Sequence, residues 1–297
     1  MRVLVGSVLM ALVVGLALGQ GATRTVTDDL GRVVQVPDRP QRIVALSPTT
    51  TELLYAVGGT AVGVPSSATF PAEVQDLPKI GRSQDPNLEA ILALTPDLIL
   101  ADAVINAAQV AELAALGVPV VFVQVLTYQE VSQALAFVGE VIGNRFGGEL
   151  EALRLERTLR DIQDRLPLER PTVYVSLFAG GMAFAATPQT YIGNLVEQVG
   201  GVNIATSGPP AGRFTGFVLF SLEQLVAADP DVILFISAGP PPNATTFFSQ
   251  DALFQTLSAF RNGRVFELDP VPFELAPGPR AGDAVRTLAE LLYPDIF

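Results

Sequence analysis

A phrase that the chain writes twice constrains its fold more than any other feature. Residues 87–101 read NLEAILALTPDLILA and residues 221–235 read SLEQLVAADPDVILF. Laid over one another without a gap, they match Leu88 with Leu222, Glu89 with Glu223, Ala93 with Ala227, Pro96 with Pro230, Asp97 with Asp231, Ile99 with Ile233 and Leu100 with Leu234. Each copy parses as a short helix, a Pro-Asp turn and an apolar strand. The surroundings repeat as well. Arg42–Ser47 (RIVALS) reads as a buried strand that passes through Pro-Thr-Thr-Thr into a helix over Glu52–Val57, stopping at Gly58-Gly59. Thr172–Leu177, a Gly-rich connection, and Tyr191–Val199 before Gly200-Gly201 follow the same order. Downstream, a helix near Ala107–Leu116 leads to the strand Val118–Val125, as Asp251–Phe260 leads to Arg264–Leu268.

Strands alternating with helices demand parallel sheets, because a parallel connection needs a crossover and a helix supplies it. The expected architecture is therefore α/β, with two Rossmann-like lobes of parallel sheet. Between the copies, GGELEALRLERTLRDIQDRLPLERP has helical spacing at Leu150, Leu153, Ile162 and Leu166 and no Gly or Pro from Glu149 to Leu166. This predicts a long rigid helix joining the lobes, since a helix resists bending where a Gly/Ser linker would not. The expected layout is a leader at 1–20, an N-terminal lobe at 24–144, a connecting helix at 145–168 and a C-terminal lobe at 169–297.

The first twenty residues, MRVLVGSVLMALVVGLALGQ, have a positive start, a short apolar run and small residues near the end, the pattern of a cleavable export signal. The 297 residues contain no cysteine, so export brings no disulfides, and the expectation is two full-sized packed cores. The same absence removes the acceptor for a lipid anchor, which points to a freely diffusing periplasmic protein. A net charge of −12 without a Lys/Arg cluster excludes nucleic acid as a partner.

The segments TDDLGRVVQVPDRPQRIVALSPTTTELLYAVGG, VGV, LPKIG, NLEAILALTPDLILA, GGVNIA and SLEQLVAADPDVILF, in this order, resemble the periplasmic substrate-binding proteins of ABC importers for cobalamin, iron-siderophores and haem. The resemblance runs from Thr25 to Tyr293. It implies a ligand cleft between two helix-bridged lobes, a monomer that docks on a permease dimer, no resident cofactor or metal, and a transported cobalamin or ferric siderophore. It also assigns Glu89 and Glu223 to docking on the transporter. Independently of the family, each glutamate sits in the first turn of a helix, where the dipole favours negative charge.

Ligands of such folds meet loops at the carboxyl ends of the strands. On that basis Thr49, Ser67, Ser83, Asp102, Phe178, Arg213, Phe217 and Phe273 are the candidate ligand contacts. Where cobalamin binders carry aromatic rings, the first lobe has Ser67, Ser83 and Asp102. Haem binders of the family use an axial Tyr or His. This chain has no His, and Phe70-Pro71 stands where a Tyr would precede Pro, so haem is the alternative cargo, with Tyr128 or Tyr191 as the remaining candidates. Arg82, Arg213 and Arg280 are candidates for anionic chelate oxygens, with Arg213 in GPPAGRFTGF preferred. An exported hydrolase is the competing class. Without His or Cys there is no ordinary Ser-His-Asp triad, thiol nucleophile or typical zinc site, which leaves only a carboxylate pair such as Asp102 and Glu274. A cell-surface adhesion module explains export and duplication but not the matched glutamates.

Overall fold

The computed structural model describes residues 22–297 except Arg213 and Pro240, so the leader at 1–20 and the candidate Arg213 lie outside the described residues. The first half runs β1 (Thr23–Thr27), β2 (Val33–Pro37), β3 (Ile43–Ala45), α1 (Pro48–Ala56), β4 (Ala61–Gly63), β5 (Gly81–Arg82), β6 (Asp85–Pro86), α2 (Leu88–Ala93), β7 (Leu98–Asp102), α3 (Val110–Ala114), β8 (Val120–Val123) and α4 (Tyr128–Ile142). The helix α5 (Arg145–Gln163) leads into the second half. There the order is β9 (Thr172–Ala179), β10 (Met182–Ala186), α6 (Tyr191–Gln198), β11 (Val202–Asn203), β12 (Pro210–Ala211), β13 (Phe214–Leu219), α7 (Leu222–Ala228), β14 (Val232–Ala238), α8 (Ala244–Phe248), α9 (Ser258–Arg261), β15 (Val265–Leu268) and α10 (Ala281–Leu292). Among the described residues no helix is long and apolar enough to cross a membrane.

The duplication survives in the sheets. In the first lobe β4, β3, β7 and β8 lie side by side and all parallel. Their counterparts β11, β9, β14 and β15 are parallel in the same order. The second sheet as a whole is mixed rather than parallel, because β10, β13 and β12 add an antiparallel extension. β11 pairs only with the first two residues of β9, while β10 folds back along its far half from Ala179 to Ser176. The expected Gly-rich connection is thus a hairpin turn, with Gly180 and Gly181 at φ 61° and 79°, the left-handed backbone that tight hairpins require.

The twice-written phrase is reproduced down to single dihedral angles. Asn87 Oδ1 accepts the Ala90 amide to cap α2, and Ser221 Oγ accepts the Gln224 amide to cap α7. Both helices exit through a non-glycine residue of positive φ, Thr95 at 45° and Asp229 at 38°. The aspartates that follow do the same work twice. Asp97 accepts the amides of Gln41 and Arg42 at 2.8 and 2.9 Å, just ahead of β3. Asp231 accepts the amide and hydroxyl of Thr172, the first residue of β9, both at 2.7 Å. Each carboxylate ties the start of its own strand to the start of the neighbouring parallel strand, which fixes their register.

The expected pair of separate cores is corrected by the packing. Each lobe has its own outer cluster, around Ile99 and Phe122 in one and Phe235 and Phe254 in the other. The inner faces of both sheets, with α4, α5, α6 and α10, instead share one continuous apolar cluster. Helix α5 enters it through Ala152, Leu155, Leu159 and Ile162, a stripe at helical spacing. Leu150 and Leu153 lie off that stripe and are exposed. At the α4–α5 crossing Gly139 and Gly148 touch, and a Cβ on Gly139 would lie 2.7 Å from the Gly148 Cα.

Candidate functional site

At the carboxyl ends of the first sheet, several sequence-selected residues form one hydrogen-bonded rim. Ser67 and Ser83 hydroxyls are 3.2 Å apart, and buried Asn106 donates to the Ser83 carbonyl at 2.7 Å. Asn106 Oδ1 in turn accepts the Asp102 amide at 3.1 Å. The Asp102 carboxylate accepts the amides of Val104 and Ile105 at 2.9 and 3.1 Å, closing the turn after β7. Burial pushes this carboxyl above its ordinary range, while those two amides and the Ser47 hydroxyl pull it back. Its hydrogen-bonding capacity therefore goes largely to shaping the rim. Thr49 is buried in the first turn of α1, beside a reciprocal cap between Ser47 and Thr50.

Across the lobes, the aromatic candidates divide. Phe178 lies at the end of β9 against Phe247 and Phe248, at centroid distances of 5.2 and 5.9 Å. With Gly180, Gly181, Ser237, Gly239, Pro241, Pro242 and Phe247 it lines a hollow of about 290 Å³ beyond the ends of β9 and β14. Phe178 is itself only 6% exposed and packs in the outer cluster of the second lobe, so the open ring there is Phe247, 45% exposed. Ser237 Oγ hydrogen-bonds Glu267 Oε1 and accepts the Ala244 amide, and Glu267 Oε2 accepts the amide and hydroxyl of Thr245. These bonds occupy the polar side chain of the lining and leave an apolar surface suited to rings. Phe217 and Phe273 are placed differently from what loop position suggests. Each is 5% exposed and belongs to the shared core, Phe217 meeting Phe214 edge-on, so the structure uses both rings for packing. No sequence rule separates a ring that lines a loop from one that folds back beneath it.

The junction between the lobes joins Arg280 to a carboxylate that the sequence motifs did not single out, Glu52. Glu52 of α1 takes a two-pronged ion pair from Arg280, with Nε and Nη2 at 2.8 and 2.6 Å from its two oxygens. The Arg280 guanidinium also covers the ring of Phe70, 4.8 Å from its centroid, and Phe70 is 44% exposed. Arg280 therefore holds a protein carboxylate rather than standing free for a chelate oxygen. Desolvation raises the Glu52 carboxyl above its ordinary value despite the opposing pull of Arg280. Nearby, Glu274 is pushed up to about 7 by desolvation, with one compensating bond from the Ile192 amide at 3.3 Å. Its surface keeps a partly open edge, but the atoms around it exclude most water. Asp102 and Glu274, the carboxylates weighed as a hydrolytic pair, are each engaged by backbone amides on opposite lobes.

Glu89 and Glu223 are both exposed, each at the second position of its helix. The Ser221 hydroxyl and its own amide hold Glu223 below the usual carboxylate range. Neither glutamate is the cap of its helix, since Asn87 and Ser221 do that. Two exposed carboxylates thus stand at equivalent positions on the two lobes. Among the described residues, no group of three or more His, Cys, Asp and Glu side chains is placed to hold a metal ion.

Comparison with known proteins gives the same outline. The chain is 26% identical over 283 residues to the uncharacterized ABC transporter substrate-binding lipoprotein YvrC of Bacillus subtilis, covering 92% of this chain and 86% of that protein. The periplasmic heme-binding protein RhuT from Roseiflexus sp. RS-1 superposes with a TM-score of 0.72 at 27% identity, over 86% of this chain and 98% of that one. The periplasmic vitamin B12 binding protein BtuF of Vibrio cholerae does so at 0.70 and 24% identity, over 85% and 96%, a likeness of fold. The family model described as periplasmic binding protein matches residues 43–272, from the first strand of the duplicated sheet to the turn after the last. By that match, and by the two-lobed architecture it spans, the chain belongs to the periplasmic binding protein family.

Proposed function

We propose that this protein is the substrate-binding component of an ABC importer, capturing a metal chelate, cobalamin or a ferric siderophore, outside the cytoplasm and delivering it to a membrane permease dimer. The observation that carries the reading is the pair Glu89 and Glu223, exposed at the same helical position on two copies of one structural phrase. Charges so placed give a two-fold symmetric transporter a register mark on each lobe. Function then lies in affinity and docking, with no bond made or broken. The apolar hollow at Phe178 and Phe247 suits the ring surfaces of such a cargo, and Phe70 offers a ring without a metal-ligating atom. A metal already held by its chelator matches a cleft of this kind better than one seeking a protein ligand. Haem is the second reading, favoured by the likeness to RhuT.

Replacing both glutamates, Glu89→Ala with Glu223→Ala, is expected to abolish uptake in cells while leaving cargo affinity within about twofold, as for rim charges remote from a binding pocket. Titration of purified protein with cyanocobalamin, a ferric hydroxamate and haemin, followed by visible absorption, ranks the cargoes. Affinity that falls together with uptake would remove the docking role.

A further inference from the structure

Of the hydrogen bonds that cross between the lobes, among them Gln129 Nε2 to Gln198 Oε1 at 2.9 Å, two contacts stand at positions related by the duplication. Glu52 stands five residues before Val57, the C-cap of α1, and Asn194 stands five residues before Val199, the C-cap of α6. Glu52 holds Arg280, the N-cap residue of α10, and Asn194 Oδ1 accepts the amide of Tyr128, the first residue of α4, at 2.9 Å. The first helix of each duplicated sheet thus grips the N-terminus of the last helix of the other lobe. The remaining ion pairs among the described residues join side chains three or four positions apart, so Glu52–Arg280 alone of these spans the lobes.

We propose that Glu52–Arg280 and Asn194–Tyr128 are paired spacers that set the width of the interlobe cleft, making Glu52, Arg280 and Asn194 positioning residues for cargo capture. The inference rests on the binding-protein reading only for what the cleft holds; the width is a property of the unliganded chain. One contact would act as a pivot. Two contacts, arranged by the internal pseudo-symmetry, oppose both hinging and twisting. The ionic member is fixed by direction as well as charge, since the guanidinium meets both carboxylate oxygens and covers Phe70. Its side chains are 2% and 21% exposed, so water screens the pair little. Buried pairs of this kind add little net stability, so the contribution of this one lies in the approach of α1 to α10 that its two-pronged geometry fixes. A cleft held at its working width has less to order when cargo arrives.

The absence of cysteine allows a direct test, since two introduced thiols are the only labelling sites. Leu92→Cys on α2 and Ala227→Cys on α7, both exposed and one on each lobe, carry spin labels for pulsed EPR distance measurement without cargo. The parent should give one narrow distribution. Glu52→Gln and Asn194→Ala should each broaden it, and their combination should roughly double its width as wider states become populated. Arg280→Lys should also broaden it, because an ammonium keeps the charge but not the two-pronged contact. Should Glu52→Gln fail to fold with Arg280 unpaired, Glu52→Leu with Arg280→Met removes the pair without leaving a buried charge, and the same broadening is expected. Distributions identical to the parent in the foldable ionic variant, in Asn194→Ala and in their combination, whatever the melting temperature does, overturn the proposal. The transporter-docking reading is untouched by that result, as it is decided by uptake.

Discussion

One carboxyl, Glu274, makes the stability of this protein depend on pH in a direction opposite to that of an acid whose ionised form the fold favours. It ionises near 4.5 in an unfolded chain and near 7 in the fold, because desolvation disfavours its charge. Between those values the native state binds the extra proton. The stabilisation is therefore complete below about pH 4.5 and is lost as pH rises through about 7. From pH 5.5 to 8 the parent should lose on the order of 1–2 kcal/mol that Glu274→Gln does not lose, after discounting for the partly open edge of the side chain. Urea unfolding at the two pH values measures the difference. Burial moves Glu52 and Asp102 the same way, so the slope of the parent alone is steeper than the share of Glu274. At this scale the sequence was half legible. The repeat put Glu89 and Glu223 at equivalent helical positions, and the strand reading with the family resemblance put Ser67, Ser83 and Asp102 on loops that the fold gathers at one end of the first sheet. Neither gave a sign that Phe217 and Phe273 turn inward, or that Arg280 is already engaged, because burial depends on neighbours distant in sequence. The clearest signal left unread was Asn194, at the place of Glu52 when the two helix ends are aligned.

At the scale of elements, the crossing of α4 and α5 is the tightest constraint, because two glycines let the helix backbones touch. Gly148→Ala would bring a methyl group to 2.5 Å from the Leu135 carbonyl oxygen, with only backbone to give way. The expected cost is about 1–3 kcal/mol, read as a lowered melting temperature. Phe146→Ala on the same helix, at a side chain 77% exposed, should change stability by less than about 0.5 kcal/mol. The apolar periodicity that revealed α5 says little about which stripe is buried, and nothing about the close approach of Gly148 to α4 until the partner helix is seen. Elements inside the duplication were the most legible, since each copy vouches for the other. The antiparallel extension was not: β12–β13 stands where the antiparallel pair β5–β6 stands ahead of α2, but β10 has no counterpart in the first half and its turn glycines look like those of a loop.

At the scale of the molecule, the shared inner core and the crossed grip of α1 on α10 and α6 on α4 leave neither lobe complete without the other. Two domains on a flexible linker melt in two steps. Here, exposing either lobe's inner face also strips cover from its neighbour, so the chain should unfold in one calorimetric transition, with calorimetric and van't Hoff enthalpies in agreement. Two resolved transitions in the unliganded protein would contradict this. The consequence reaches each half taken singly: the two copies of the duplicated sheet cover one another's inner faces. Either half expressed by itself should populate a collapsed state with its inner face bare, and mixing the two halves should restore the native signal.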